Sequence, residues 1–455
     1  MKRRHSSKKR DRTGRLPRNA APVELDITHV GGRGDGVGST SWRHNHVTAD
    51  HTVFVPASLP GERVIARPVS VSGQGLKTVL TEILTASPQR REPDCTVFPA
   101  CGGCTLQHWH DDAVTAWKQD LVAGFLARAG VRFDGFEPPH ISPRGSRRRA
   151  GFHLKRLADG VAAGFLERGS NRIIAPQDCS VLRPDLVVLL GRLADLAARC
   201  FPLGVNIEAQ ANGLDNGICL LLRGPASWHD GLREQLASWA VDAGIARLSV
   251  SDGTTEPLTL LAPAPPVLRR GEFAVTPPPG AFLQATQDAE AALQAAVASI
   301  IGEAARVLDL FSGCGTLGLP RLPSLSQLTA AESDTAALAA LRQAVDAAGR
   351  GAQLTCIEAD LMEAPLMGSD LAPFDAAIID PPRAGAAAQC ASLATSRVPV
   401  IAMVSCNPAT FARDAATLIA GGYIMGRPRV IDQFRFSSHV EIVAGFFRDD
   451  SMVSA

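Results

Sequence analysis

No uninterrupted apolar segment in this chain is long enough to span a bilayer, and its start lacks the apolar core of a signal peptide. Neither membrane insertion nor export is expected, and the reading is a cytoplasmic protein with no membrane partner. Net charge is equally scarce, since 46 Lys and Arg against 45 Asp and Glu leave a formal +1. A uniformly basic surface is excluded, so any nucleic-acid contact has to come from local clustering. The chain shows no convincing internal repeat, which sets repeat architectures aside. Without an export signal, disulfides are the weak use of its ten cysteines.

What the chain does have is length and apolar content. With 455 residues and 45% hydrophobic composition it buries substantial cores, and a prior of ~150 residues per domain gives about three domains. Residues 1 to 18 hold nine Lys or Arg and only Asp11 as an acid, the pattern of a disordered basic arm. A second basic cluster comprises Arg144, Arg147, Arg148, Arg149, Lys155 and Arg156. Such clusters neutralise phosphates without reading sequence, or are plain solvated charge runs, and charge alone does not separate RNA from DNA.

Four regions follow: an arm at 1–20, then 21–87, 88–269 and 270–455. Between Val23 and Leu84, short β-prone runs such as His51 to Val55 and Arg63 to Ala66 alternate with Gly- and Pro-bearing turns, the rhythm of a small β-barrel. Its Gly31 to Gly38 stretch reads as a surface loop on which Arg33 meets phosphate, or as a plain loop. Residues 88–185 carry a helix near Asp111 to Ala129 and strands near Gly151 to Lys155 and Val161 to Leu166. Residues 186–269 add a helix and an irregular α/β portion, ending in the connection Pro263-Ala264-Pro265-Pro266. From about 285 on, helical patterns alternate with apolar strands at Arg306 to Leu310, Gln327 to Ala331, Gln353 to Ile357, Ala376 to Ile379, Val398 to Val404 and Val440 to Ala444. That alternation predicts a doubly wound α/β domain.

Cys95, Cys101 and Cys104 have the spacing C-x5-C-x2-C, and Cys179 returns 75 residues beyond Cys104. Three thiolates in a tight loop with a distant fourth suit a [4Fe–4S] cluster, and zinc accepts the same donors. Unliganded thiols are the third reading. Cys200, Cys219, Cys314, Cys356 and Cys390 sit in apolar or small-residue contexts and read as buried structural thiols.

The segment Val307 to Gly318 runs from an apolar strand into Gly313-x-Gly315-x-x-Gly318, which by itself also fits a dinucleotide fingerprint. Asp309 directly before the glycines disfavours a pyrophosphate and suits the cationic methionine end of S-adenosylmethionine. Glu332, after the next strand, is placed to accept from ribose hydroxyls, and Asp360, after the one following, to meet the adenine amino group. NAD and a purely structural turn stay as alternatives. The next strand ends carry Asp380-Pro381-Pro382-Arg383 and Ser405-Cys406-Asn407-Pro408, loops that an open sheet brings together above its C-terminal edge. A lone cysteine is more often structural; beside this motif Cys406 reads as a thiolate nucleophile. Glu441 is a catalytic base or an edge-strand carboxylate, and His439 a neighbouring partner or a turn cap.

In this order, Phe282-Leu283-Gln284, the Leu308 to Gly318 loop, Asp380 to Gly385, Cys406 to Pro408 and His439-Val440-Glu441 resemble the RNA uracil-C5 methyltransferase family, in its iron–sulfur-containing branch. The resemblance covers most of residues 21 to 450. It implies a multidomain α/β protein: an N-terminal TRAM-like (OB-like) RNA-binding barrel, a central iron–sulfur-containing domain and a C-terminal Rossmann-like methyltransferase domain. It also implies Cys406 as nucleophile, Glu441 as base, and Gln284 and Asp380 in the cofactor and uracil pocket, with Phe311, Gly313 and Gly315 joining Asp309, Glu332 and Asp360 around S-adenosylmethionine. Cys95, Cys101, Cys104 and Cys179 match the family's cluster ligands. The implied substrate is structured RNA, 23S ribosomal RNA before transfer RNA, met by a monomer before or during ribosome assembly; a noncatalytic RNA-binding or folding factor is the alternative of another class. Three departures stand out: Thr286 where members commonly carry Asn, Pro382 where many carry Ala, and Pro323, which shortens the helix expected after the cofactor loop.

Overall fold

The computed structural model describes residues 14–448 apart from 18–19, 45–46 and 225–226, so most of the basic arm lies outside the described residues. The chain forms two compact units. One comprises Met1–Asp94, Cys104–Trp117 and Phe436–Ser438; the other comprises Cys95–Gly103, Lys118–Arg435 and His439–Ala455.

The first unit is built on a seven-stranded sheet. Its strands run in the order Gly14–Arg15, Arg63–Ser72, Gly75–Thr85, Val47–Val55, Gly36–His44 and His29–Val30, with Val23–Asp26 pairing beside Arg63–Ser72. Alternation sets the buried face: Val64 and Ala66 point inward between the more exposed Arg63 and Ile65. Gly38 passes so close to the Asp26 carbonyl that a Cβ there would lie 2.4 Å from its oxygen, so a glycine is needed where Gly36–His44 approaches Val23–Asp26. Val23, Leu25, Val53, Val55 and Leu76 fill the enclosed core. Arg33 is exposed on the turn closed by the Gly34 N–H to Gly31 carbonyl bond of 2.8 Å.

The second unit holds two larger sheets. One orders its strands Ile173–Ile174, Gly160–Leu166, Arg149–Leu157, Asn206–Leu214, Gly217–Arg223, Arg247–Ser251 and Leu258–Leu261. Helices Pro184–Cys200 and Asp230–Asp242 cover one face through Leu186, Leu189, Leu193, Leu236 and Trp239. This portion is more regular than its sequence suggests.

The other sheet has nine strands. Parallel strands Leu354–Glu358, Gln327–Glu332, Arg306–Leu310, Ala376–Ile379 and Val400–Ser405 are followed by antiparallel Glu441–Phe447, then Arg429–Asp432 and Glu137–Ile141, with Ile424–Met425 pairing off this path. Near-continuous burial along Gln327–Glu332, Arg306–Leu310, Ala376–Ile379 and Val400–Ser405 reflects cover on both faces. Gln287–Ile301 and Thr335–Ala347 pack on one side, and Ala387–Thr395 and Pro408–Ala420 on the other. One boundary read from sequence shifts. Residues assigned to the middle region join this layer, because Glu137–Ile141 pairs with Arg429–Asp432 and Val122, Leu126 and Val131 pack into the core with Leu308 and Ile401. No helix among the described residues is long and apolar enough to cross a membrane.

Candidate active site

Chain order reverses between Arg306–Leu310 and Ala376–Ile379, and a crevice opens at the carboxyl ends of those strands, the usual ligand position in such a sheet. The cavity there has a volume of about 680 Å³. It is lined by Gln284, Asp309, Phe311, Gly313, Glu332, Asp360, Asp380, Cys406 and Glu441, all of which the sequence reading singles out. Gly315 does not line it. A Cβ on Gly315 would lie 2.7 Å from Leu341 Cδ1, and its φ of +77° is left-handed, so this glycine serves the packing of the loop against the following helix. The helix directly after the loop is short, as Pro323 predicts: Leu319–Ser324 is a single 3-10 stretch, separate from the Thr335–Ala347 helix that carries Leu341.

Local caps aim the catalytic candidates. The Val400–Ser405 strand ends one residue before Cys406, and Asn407 caps the Pro408–Ala420 helix by accepting from the Ala409 N–H at 3.1 Å. The same Asn407 amide donates to the Arg383 carbonyl at 2.9 Å, tying the two catalytic loops together. Glu441 reaches this edge because its strand runs antiparallel. Val404 pairs with Val443 and Ser405 with Ile442, and one further step along that register sets Cys406 beside Glu441.

Burial governs the electrostatics. The Asp309 carboxyl, accepting from the Gly318 N–H at 3.1 Å, is pushed up to about 7 by burial, with the Asp380 and Glu332 charges adding to it. Asp380 is raised by burial, and Glu441 by burial and then by Asp380, against a hydrogen bond from Gln433 that lowers it. The Cys406 thiol is pushed up to about 11 by burial, Glu441 and Asp380, while Arg383 pulls it down. A cavity holding this many buried acids favours a cation over a pyrophosphate, which fits S-adenosylmethionine. Two further observations fit that ligand. Among the described residues the Ser312 hydroxyl, 5% exposed, has no hydrogen-bond partner, and Phe311 holds a left-handed φ of +60° that costs a non-glycine residue about 1–2 kcal/mol. Glu332 is oriented by the N–H groups of Gly313, Ser333 and Asp334 at 2.8–3.0 Å, and Asp360 by that of Met362 at 3.0 Å.

The cavity also contains Arg147, Arg383, Phe434 and His439. The Arg147 guanidinium lies 5.9 Å from the Phe434 ring centroid, and the rings of Phe434 and His439 meet edge to face at 5.6 Å. Burial and then Arg383 lower the His439 pKa, which favours the neutral imidazole. Phe282 is exposed on the cavity wall beneath the Arg149 guanidinium at 4.6 Å.

Several sequence assignments change. Arg148, counted among phosphate-binding residues, is 2% exposed and paired with Glu290, which also meets Arg270 at 2.5 Å. Such a buried triad is a poor RNA contact, and stripping one partner from it costs about 3–5 kcal/mol. Thr286, where members of the family commonly carry Asn, is buried outside the cavity lining; it caps the Gln287–Ile301 helix and bonds Ser142 at 2.7 Å. Cys200, Cys219, Cys314 and Cys390 are buried, whereas Cys356 is half-buried. Gln433 is the principal residue that the sequence reading missed, since one glutamine after a strand carries no signal.

Among the cluster cysteines, Cys101 is raised by burial and also by the neighbouring charges of Cys179 and Cys95, so these three thiols share one neighbourhood. Their soft donor chemistry suits iron and sulfide. Among the described residues, however, no group of three or more His, Cys, Asp or Glu side chains is arranged to hold a metal ion.

Comparison with known proteins agrees with the geometry. The family described as tRNA (uracil-5-)-methyltransferase matches residues 276–448. An RNA methyltransferase of Brucella suis is 37% identical over 422 residues, covering 92% of this chain and 97% of its own. The 23S rRNA (uracil(1939)-C(5))-methyltransferase of Halomonas elongata is 33% identical over 414 residues, covering 86% of this chain and 83% of its own. In fold, the chain is similar to the Pyrococcus abyssi tRNA (uracil-54, C5)-methyltransferase bound to S-adenosyl-L-homocysteine, with a TM-score of 0.66, 21% identity, and 93% and 99% of the two chains covered.

Proposed function

The chain belongs to the RNA uracil-C5 methyltransferase family, an S-adenosylmethionine-dependent group, and from that premise we propose that it methylates a uridine of 23S ribosomal RNA through a covalent bond between Cys406 and uracil C6. One observation carries the chemistry: Cys406, Glu441, Asp380 and the cofactor loop line a single cavity. The ribosomal substrate is supported by the Halomonas relative, which covers most of both chains.

Uracil C5 is too weak a nucleophile to take a methyl group unaided. Addition of the Cys406 thiolate to C6 displaces the C5–C6 π electrons towards O4, and the resulting enolate makes C5 nucleophilic. C5 then bonds the methyl carbon; S-adenosylmethionine supplies that methyl as an electrophile on a cationic sulfur, which leaves with the electron pair. Glu441 next takes the C5 proton, the C5–C6 double bond reforms, and the C6–S bond breaks to return the thiolate. Alignment in one cavity contributes up to ~7–11 kcal/mol by removing the entropy of bringing the partners together. Arg147 and Arg383 receive the phosphates beside a uridine taken out of its stack. The curled sheet of the first unit serves as a TRAM-like RNA-binding element, with Arg33 on its turn, in a cytoplasmic monomer.

The substrate is tested in RNA from a strain lacking the gene. Loss of one 5-methyluridine from 23S rRNA is expected. Loss from tRNA alone overturns the ribosomal assignment and supports the reading favoured by the fold likeness to the Pyrococcus tRNA enzyme.

A [4Fe–4S] cluster on Cys95, Cys101, Cys104 and Cys179 belongs to the same proposal, supported by the ligand spacing and by the shared neighbourhood of three of these thiols. Anaerobic purification is expected to yield about four irons and four sulfides per chain. Stoichiometric zinc without sulfide rejects the cluster.

A further inference from the structure

Behind the cavity wall, two glutamine amides form a buried chain between the pocket's carboxylates. Gln433 is 2% exposed and does not line the cavity, whereas Gln284 and Glu441 do. Its Oε1 accepts from the Ala285 backbone N–H at 2.6 Å. A backbone N–H only donates, so the oxygen end of the Gln433 amide is fixed there without ambiguity. Nε2 therefore faces the other way, donating to Gln284 Oε1 at 2.6 Å and to Glu441 Oε2 at 2.9 Å. Both of its hydrogens are used. With Gln284 Oε1 occupied, Gln284 Nε2 is turned to Asp380 Oδ2 at 3.4 Å. One backbone N–H thus sets the direction of every hydrogen bond along the chain.

We propose that Gln433 is a positioning residue for the methylation reaction, favouring the ionised, accepting form of the Glu441 carboxyl and aiming its other oxygen at the substrate. The inference rests on Glu441 being the base. A donor on Oε2 stabilises the carboxylate over the carboxylic acid, so it opposes the burial that raises Glu441. Around Glu441 stand Asp380, Cys406, Arg383, Arg147 and His439 in the cavity, with Asp309 beyond, and Asp432 on the adjoining strand, paired at 2.7 Å with Lys118 of the Asp111–Arg128 helix. Asp380 raises Glu441, which leaves the Gln433 amide as the donor that lowers it.

The test follows release of 5-methyluridine RNA from the covalent complex in single turnover across pH. Gln433→Met keeps length and apolar volume but removes both donors. Gln433→Glu keeps the shape and, when ionised, offers no donor and adds a negative charge. Release in Gln433→Met is expected to need a pH about 1–2 units higher than in the parent, so that it is slowed about tenfold or more near neutrality and recovers in base. Gln433→Glu is expected to shift the profile further in the same direction, with adduct formation retained in both. Parental pH profiles in both variants, or an equal loss at every pH, overturn the inference, the latter marking a merely structural amide. Glu441→Gln in the same assay separates the two levels. If it releases product at the parental rate, the base assignment itself is wrong; if it stalls while the Gln433 profiles are parental, only the inference falls.

Discussion

Cys406→Ala is expected to abolish both methyl transfer and the covalent adduct with 5-fluorouridine RNA, a loss on the order of 10⁴-fold or more, because C5 has no other route to an enolate. Fluorine at C5 leaves no proton for the base to remove, so the parent enzyme accumulates a methylated adduct that mass analysis resolves. S-adenosylmethionine affinity is expected to change by no more than about threefold, under 1 kcal/mol, since the thiol attacks uracil and need not hold the cofactor. The environment of Cys406 adds a pH signature. With its pKa pushed up to about 11, Cys406 is mostly thiol near neutral pH in the RNA-free protein. Adduct formation in the parent should therefore rise with pH, by up to about tenfold per unit, as the thiolate fraction grows. An adduct that persists in Cys406→Ala removes this residue as nucleophile. A parent enzyme that forms no adduct with a verified RNA points instead to a binding or folding factor on the same architecture.

Much of this site was legible in the sequence because its parts hang on strand ends. Arg306–Leu310 and Ala376–Ile379 occur at the bounds read from the apolar runs, and parallel strands buried on both faces leave little room for error in length. Asp309, Asp380 and Cys406 inherit their positions from those strands. What stayed hidden depends on pairing between distant segments. Nothing local shows that Glu441–Phe447 runs antiparallel and so lays Glu441 next to Cys406, or that Glu137–Ile141 leaves the middle region to join the sheet. Arg148 misled for the same reason: beside Arg147 and Arg149 it reads as surface charge, while its partner Glu290 is 142 residues away. Gln433 needed three partners, Ala285, Gln284 and Glu441, to acquire any meaning.

Glu441→Gln should separate attack from release, and its two effects have opposite signs. The charge of Glu441 is one of the causes that raise the Cys406 thiol, so a neutral amide lets the thiol pKa fall and adduct formation on ordinary uridine RNA should be at least as fast as in the parent. Release should slow by about 10²–10⁴-fold, since an amide cannot take the C5 proton from the methylated intermediate. The substitution is nearly isosteric, and the replacement amide can still accept from Gln433 Nε2, so the buried wall is not stripped of a partner. The expected species is a Cys406–RNA adduct that already carries the mass of one methyl group, accumulating without a fluorinated substrate. An adduct lacking that methyl would place Glu441 before transfer, in activating the uracil or orienting the methyl donor. Prompt release of 5-methyluridine would move the base elsewhere, and Asp380, the other raised carboxyl beside Cys406, would be the next residue to replace.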